Sequence, residues 1–131
     1  MTSRRRFLLT TGAATSVLFT NASANTENAG QLVHHVFFWL KNPDSKEDLN
    51  KLVEGINSLK KIKTLRLCKV GTPAGTEQRD VVDRSYQVSL LTIFDDVKGH
   101  DAYQVDPVHT AFVKNYAHLW SKVIVFDSMD I

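Results

Sequence analysis

The segment from Leu32 to Leu40 constrains the fold more than any other part of the chain, because it is apolar on two alternating faces. Successive side chains of a β-strand point to opposite sides of a sheet. The two sets of alternate positions here are Val33, His35, Phe37, Trp39 and His34, Val36, Phe38, Leu40. A strand with this pattern is buried on both sides. The chain therefore needs a layer of structure on each face of its sheet.

The rest of the chain supplies a short series of helices and strands after this strand. Helical spacing of Leu49, Leu52, Val53, Ile56 and Leu59 predicts an amphipathic helix over 45–60. The remaining predicted elements are strands at 63–71 and 86–94, a short helix from Asp95 to Tyr103, a helix beginning at Pro107, and a strand at 122–129. The order β-α-β-β-α-β predicts an α+β, ferredoxin-like antiparallel sheet with helices on one face.

The second face of that sheet has no predicted cover within the chain. At 131 residues the chain is long enough for one domain, and its two main helices can cover only one side. An exposed apolar sheet face is most simply buried against a second copy. The sequence therefore predicts a homodimer with facing sheets, a dimeric α/β barrel.

The N-terminal residues have the composition of an export signal. Arg4, Arg5 and Arg6 precede an apolar run from Phe7 to Phe19, and Ala22-Ser23-Ala24 provides small residues for a signal peptidase. This pattern predicts removal of residues 1–24 and a small, polar, flexible tail at 25–31. A short amphipathic anchor or a buried N-terminal helix is the alternative.

The leader also resembles a twin-arginine signal, whose pattern is S/T-R-R-x-F-L-K. The run SRRRFLL departs from it only at Leu9, which stands where the pattern has lysine. The general secretory route stays open as an alternative, and either route predicts an exported protein, with the periplasm as its location through the twin-arginine route. No stretch approaches the roughly 20 apolar residues of a membrane-spanning helix, so we expect no stable membrane insertion after signal removal.

Charge argues against a nucleic-acid partner for the remaining chain. The formal net charge of +2 includes the three leader arginines, and without them 13 basic residues face 14 acidic ones. No stripe of Lys and Arg is left to neutralise phosphates. Cys68 is the only cysteine, which excludes a disulfide framework and favours a small buried side chain over a nucleophile.

Short-range spacing provides no metal or cofactor motif. His34 and His35 are neighbours on a strand and point to opposite faces, while His109 and His118 lie on opposite sides of a helix. The segment Gly71–Gly75 lacks the Gly-Lys-Ser/Thr end of a phosphate-binding loop. We therefore expect neither a metal ion nor a cofactor.

The segment AYQVDPVH, residues 102–109, is the best candidate for chemistry. Asp106 is suited to cap a helix and Pro107 to begin it, which places His109 in the first helical turn. A helix N-terminus disfavours imidazolium, leaving a neutral ring that can accept a proton. Tyr103, across the turn, is positioned to orient a carbonyl oxygen. On residue types alone, a packed Tyr103 and a solvated His109 remain the alternative.

Taken together, residues 32–131 resemble the stress-responsive alpha/beta-barrel (Dabb) family. The resemblance rests on the order and spacing of four segments, which are His35-Val36-Phe37-Phe38, Tyr86–Phe94 followed by Asp95-Asp96, Ala102-Tyr103-x-x-Asp106-Pro107-x-His109, and Trp120–Asp127. It implies the ferredoxin-like dimeric barrel predicted above. Most members of this family have no assigned activity.

One branch of the family, typified by the plant olivetolic acid cyclase, adds site residues by resemblance. His109 matches its catalytic His, Tyr103 its supporting Tyr, and His35 a further pocket His, whereas Val88 stands where that enzyme has another His. The resemblance implies a pocket for a small apolar or carbonyl-containing molecule. Two functions stay open, namely a dimeric barrel of unassigned activity that binds such a molecule, and a lyase or cyclase with His109 as general base. A purely structural dimer without a pocket is the remaining alternative.

Overall fold

The computed structural model describes residues 30–131, and its elements follow the predicted order. They are β1 (Leu32–Leu40), α1 (Lys46–Ser58), β2 (Leu65–Gly71), β3 (Val88–Phe94), α2 (Val97–Val105), α3 (Pro107–Tyr116) and β4 (Trp120–Met129). Two short 3₁₀ turns, Leu59–Lys61 and Ala117–Leu119, follow α1 and α3. The predicted leader, residues 1–24, lies outside the described residues, as does most of the predicted tail.

The four strands form one sheet in the order β2-β3-β1-β4, and every neighbouring pair is antiparallel. Strand β1 is central and pairs His34 with Thr92 of β3 on one side and with Asp127 of β4 on the other. This topology confirms the ferredoxin-like α+β fold.

Burial along β1 alternates in the single chain, whereas the double-sided pattern predicts burial on both faces. Leu32, Val36, Phe38 and Leu40 are each at most 6% exposed and pack under the helices. The core they enter also contains Leu52, Ile56, Leu59, Ile62, Val88, Leu90, Phe94, Tyr103, Phe112 and Leu119. The other alternate residues, including Phe37 and Trp39, are only partly buried because no element of the described chain covers that face. We call this second side the open face.

Helix caps set the geometry around the site. Asp96 caps α2 by accepting a hydrogen bond from the Gly99 backbone N–H at 2.7 Å. Asp106 ends α2 and caps α3, since its carboxylate accepts from the Val108 N–H at 2.8 Å and Pro107 occupies the first helical turn. The predicted cap and proline are thus confirmed. They produce a sharp turn between two helices, which fixes where the side chains on either side of it point.

The two ends of the described chain are also tied together. The backbone N–H of Asp130 donates to the carbonyl of Gln31 at 3.0 Å, so the last residue of the predicted tail is anchored beside β4. Within residues 30–131, no helix is long and apolar enough to cross a membrane.

Candidate functional site

A cavity of about 180 Å³ lies between the helices and the covered face of the sheet. Its walls are mainly apolar side chains of the strands and of α3, with a small number of polar groups among them. The apolar residues are Val36, Phe38, Leu90, Val113, Trp120, Val123 and Val125, and the polar or partly polar ones are His34, Tyr103, Gln104 and His109. Apolar walls with a few polar groups are typical of small-molecule sites.

Tyr103 and His109 both line this cavity, as the sequence predicted for the pair. Their ring centroids are 4.6 Å apart across the turn between α2 and α3. Tyr103 is 1% exposed and packs against Phe94, with 4.9 Å between ring centroids. Burial raises the pKa of Tyr103 well above its usual value, and Cys68 adds to the effect. The phenol therefore stays protonated at neutral pH and can donate a hydrogen bond.

His109 is half-buried, and its pKa is lowered from the ordinary value of 6.5. Burial is the main cause, because it disfavours the charged ring. A backbone hydrogen bond involving Gln104 opposes the shift, while the nearby His34 and His100 reinforce it. At pH 7 the ring is neutral and can accept a proton.

A third polar group in the cavity wall, His34, was not predicted as a site residue. Its side chain is buried, and Nδ1 lies 2.5 Å from Oδ1 of Asp127. A carboxylate can only accept, so the neutral ring carries its hydrogen on Nδ1 and leaves Nε2 as an acceptor. Burial lowers the pKa of His34 and outweighs the opposing contribution of Asp127.

His35, in contrast, does not share the cavity with Tyr103 and His109. It lies on the open face, where its ring is 4.3 Å from that of Phe37 between centroids. The predicted grouping of His35 with the other two residues is wrong in this structure because side chains alternate along β1. The neighbouring His34 occupies the covered side instead. Val88, at the position where the plant cyclase has a histidine, is fully buried in the core.

Three side chains that can bind metal ions also meet around His34, one of the residues that line the cavity. One donor atom each of His34, His100 and Asp127 lies within 4.8 Å of the other two. They come from β1, α2 and β4 respectively. The expectation of no metal site rested on short spacings along the chain, which do not detect donors contributed by three separate elements.

The fold and the cavity define a ferredoxin-like α+β domain with a pocket between its helices and its sheet. The family model described as "Stress responsive A/B Barrel Domain" (Dabb) matches residues 32–130. The chain therefore belongs to the stress-responsive A/B barrel domain family, as the resemblance implied.

Several solved structures share this fold. A hydroxynitrile lyase from Passiflora edulis is similar with a TM-score of 0.66 at 19% identity, covering 78% of this chain and 94% of that one. A Dabb family protein from Mesorhizobium loti has a TM-score of 0.64 at 20% identity, covering 78% and 98%. A dimeric protein of unknown function from Bacteroides fragilis has a TM-score of 0.61 at 24% identity, covering 77% and 97%. No curated protein sequence is significantly similar to the chain.

Proposed function

We propose that the chain is an exported homodimer whose helix–sheet cavity binds a small, mostly apolar molecule that carries a carbonyl or hydroxyl group. The observation that supports this best is the pairing of Tyr103 and His109 in an otherwise apolar cavity. A protonated phenol can donate a hydrogen bond to a ligand oxygen, and a neutral imidazole can accept one from a ligand hydroxyl group. Because neither group is charged, neither favours a charged ligand. An engineered apolar cavity of roughly 150 Å³ holds benzene, so a cavity of about 180 Å³ suits a molecule of about that size.

The ligand proposal is tested with benzaldehyde and heptanal as probes, by saturation-transfer NMR on the full chain. Val123 is 37% exposed on the edge strand β4 and lines the cavity. A Val123→Trp side chain should therefore fill the cavity at little cost to the core. Probe binding is expected in the wild type and should be lost in Val123→Trp.

Val105→Trp is the matched control, because Val105 is 76% exposed and lies outside the cavity lining. This variant should bind the probes as the wild type does. Absence of binding by both aldehydes, or equal binding in Val123→Trp, contradicts the proposed cavity ligand.

The homodimer is supported by the open face and by relatives described as dimeric, including proteins from Bacteroides fragilis and Thermobifida fusca. An aromatic cluster lies on that face, with the Phe37 ring 4.9 Å from Tyr86 and 6.0 Å from Phe126. Phe126 is 63% exposed in the single chain. A second sheet packed here buries this surface and closes a barrel.

A lyase or cyclase reaction is the second candidate function, favoured by the neutral His109 next to a hydrogen-bond donor. In such a reaction the imidazole removes a proton from a carbon acid or a hydroxyl group, and Tyr103 donates to the carbonyl oxygen. The same pair serves the addition of a carbon acid to a carbonyl and the reverse cleavage. The fold is shared with a hydroxynitrile lyase, which supports lyase chemistry on this scaffold.

The export proposal predicts that a periplasmic preparation contains a chain beginning at Asn25, as measured by intact mass. Its support is the leader pattern ending at Ala22-Ser23-Ala24. Joint substitution of Arg4 and Arg5 by Lys should keep the protein in the cytoplasm, since those two residues occupy the twin-arginine positions. The single variant Arg6→Lys, at the variable position, should be exported normally. A periplasmic species starting at Met1 argues against cleavage, and normal export of the double variant argues against the twin-arginine route.

A further inference from the structure

His34, His100 and Asp127 form a group of metal-capable side chains that the proposed ligand chemistry does not use. Their donor atoms all lie within 4.8 Å of one another. The side chains of His34 and His100 are 7% and 14% exposed, whereas that of Asp127 is 47% exposed. The group is therefore buried on two sides and reachable from solvent on the third.

The donor types select a class of metal ion. Two imidazole nitrogens and one carboxylate oxygen suit zinc and its transition-metal neighbours, which bind nitrogen donors at about 2.0–2.1 Å. Calcium and magnesium prefer sites made of oxygen donors alone. Three protein ligands leave a coordination position for water or another molecule, as in catalytic rather than structural zinc sites.

Neighbouring side chains hold the group in place before any ion is present. The ring of His34 is fixed by its 2.5 Å hydrogen bond to Asp127. Nδ1 of His100 lies 3.1 Å from Oδ1 of Asp101, which leaves the other ring nitrogen, Nε2, as the acceptor. In the metal-free chain this Nε2 accepts from the side-chain amide of Gln104 at 3.2 Å, a contact that a bound ion would replace. Such a carboxylate contact on the far side of an imidazole is the usual support of a histidine ligand. Donors at bonding distance from one ion lie about 3 Å apart, so the half-exposed Asp127 has to draw back slightly from His34. The hydrogen on Nδ1 of His34 is released to solvent as that nitrogen binds the ion.

We propose that His34, His100 and Asp127 bind one divalent transition-metal ion of the zinc class per chain. This inference does not depend on the proposed function, because neither Tyr103 nor His109 is a ligand. Of the three ligands, His34 is the one that lines the cavity, so the ion would lie next to that residue.

The test is calorimetric titration of the untagged full chain with Zn²⁺, with Co²⁺ absorption as a second readout of the donor set. One ion per chain is expected. His100→Ala removes a donor without opening the core and should weaken Zn²⁺ binding by at least about 100-fold, the upper end of the effect seen for supporting residues. Asp127→Asn keeps an acceptor for His34 but removes the charge, and should weaken binding in the same direction.

His118→Ala is the matched control, because His118 is an exposed histidine outside the group. It should bind Zn²⁺ as the wild type does. The inference is overturned if neither ion binds, if His100→Ala binds Zn²⁺ like the wild type, or if His118→Ala loses binding. Failure here leaves aldehyde binding in the cavity intact, whereas failure of the aldehyde experiment leaves Zn²⁺ binding intact, so the two proposals fail separately.

Discussion

A Phe126→Asp chain is expected to be a folded monomer under conditions in which the wild type is a dimer. Phe126 is 63% exposed in the single chain, so the substitution costs the protomer little. In a dimer with facing sheets the carboxylate is buried among Phe37 and its aromatic neighbours. Because the dimer is two-fold symmetric, its interface contains the substitution twice, once from each chain. An unpaired polar group costs about 2 kcal/mol and an unpaired charge costs more, so the dimer weakens by at least about 4 kcal/mol, or roughly 1,000-fold in Kd.

Light scattering measures this effect, with circular dichroism to show that the fold is kept. Val97→Asp is the control, because Val97 is 49% exposed but lies at the start of α2, where an acidic residue is favourable. It should leave the dimer unchanged. A wild-type chain that is monomeric at micromolar concentration, or a Phe126→Asp chain that remains a dimer, would falsify the facing-sheet arrangement.

His109→Gln is expected to lower the turnover of the second candidate function by about 10²- to 10⁴-fold, the usual contribution of a proton-transfer group. Glutamine keeps a polar side chain of similar reach but cannot act as a base near neutral pH. Mandelonitrile is a suitable probe, since base-catalysed cleavage of its bond to the nitrile carbon releases cyanide and benzaldehyde, and the absorbance of benzaldehyde is easily followed. His118→Gln, an exposed histidine change, should leave turnover as in the wild type. Equal turnover in His109→Gln rules out the base role.

The pH dependence of the free energy of unfolding reports on the burial of His109 and does not require a substrate. Its pKa is lowered in the folded chain, so between that pKa and 6.5 the unfolded chain binds more protons than the folded one. Stability then rises with pH across this window and is lost as the pH falls below 6.5. Urea unfolding at a series of pH values should show that His109→Gln loses less stability at acid pH than the wild type does. An identical acid loss in both chains indicates that His109 is solvated rather than held in the cavity.

The sequence predicted much of the fold because its strongest signals are local. The apolar run from Leu32 to Leu40 predicted strand β1, and Asp106 with Pro107 predicted the helix start that brings Tyr103 and His109 together. These features depend on residues a few positions apart, so they can be recognised without a structure.

The other half of the site depends on contacts between distant segments. Alternation predicted that His34 and His35 face opposite sides, but not which of them faces the helices, since both sets of alternate residues are almost equally apolar. The partners that decide it, Asp127 on β4 and Thr92 on β3, lie far along the chain. For the same reason, no short spacing along the sequence indicated that His34, His100 and Asp127 lie close together.

The similarity of the two faces of β1 has a consequence for folding. A one-residue slip of this strand exchanges its faces, yet it still presents one histidine and several large apolar residues to the helices. The sequence of β1 alone therefore hardly favours one register over the other. Residues on the neighbouring strands must determine which face of β1 packs against the helices. Thr92 does so by donating its hydroxyl to the His34 carbonyl at 2.8 Å from within the core. Asp127 does so by pairing with His34 on the covered side of the sheet. Lys69 and Lys122 lie on the open side, where their ammonium groups stay out of the core. Strand β1 can therefore settle in its correct register only once both β3 and β4 are in place. Because β4 is the last strand of the chain, this step comes late in folding.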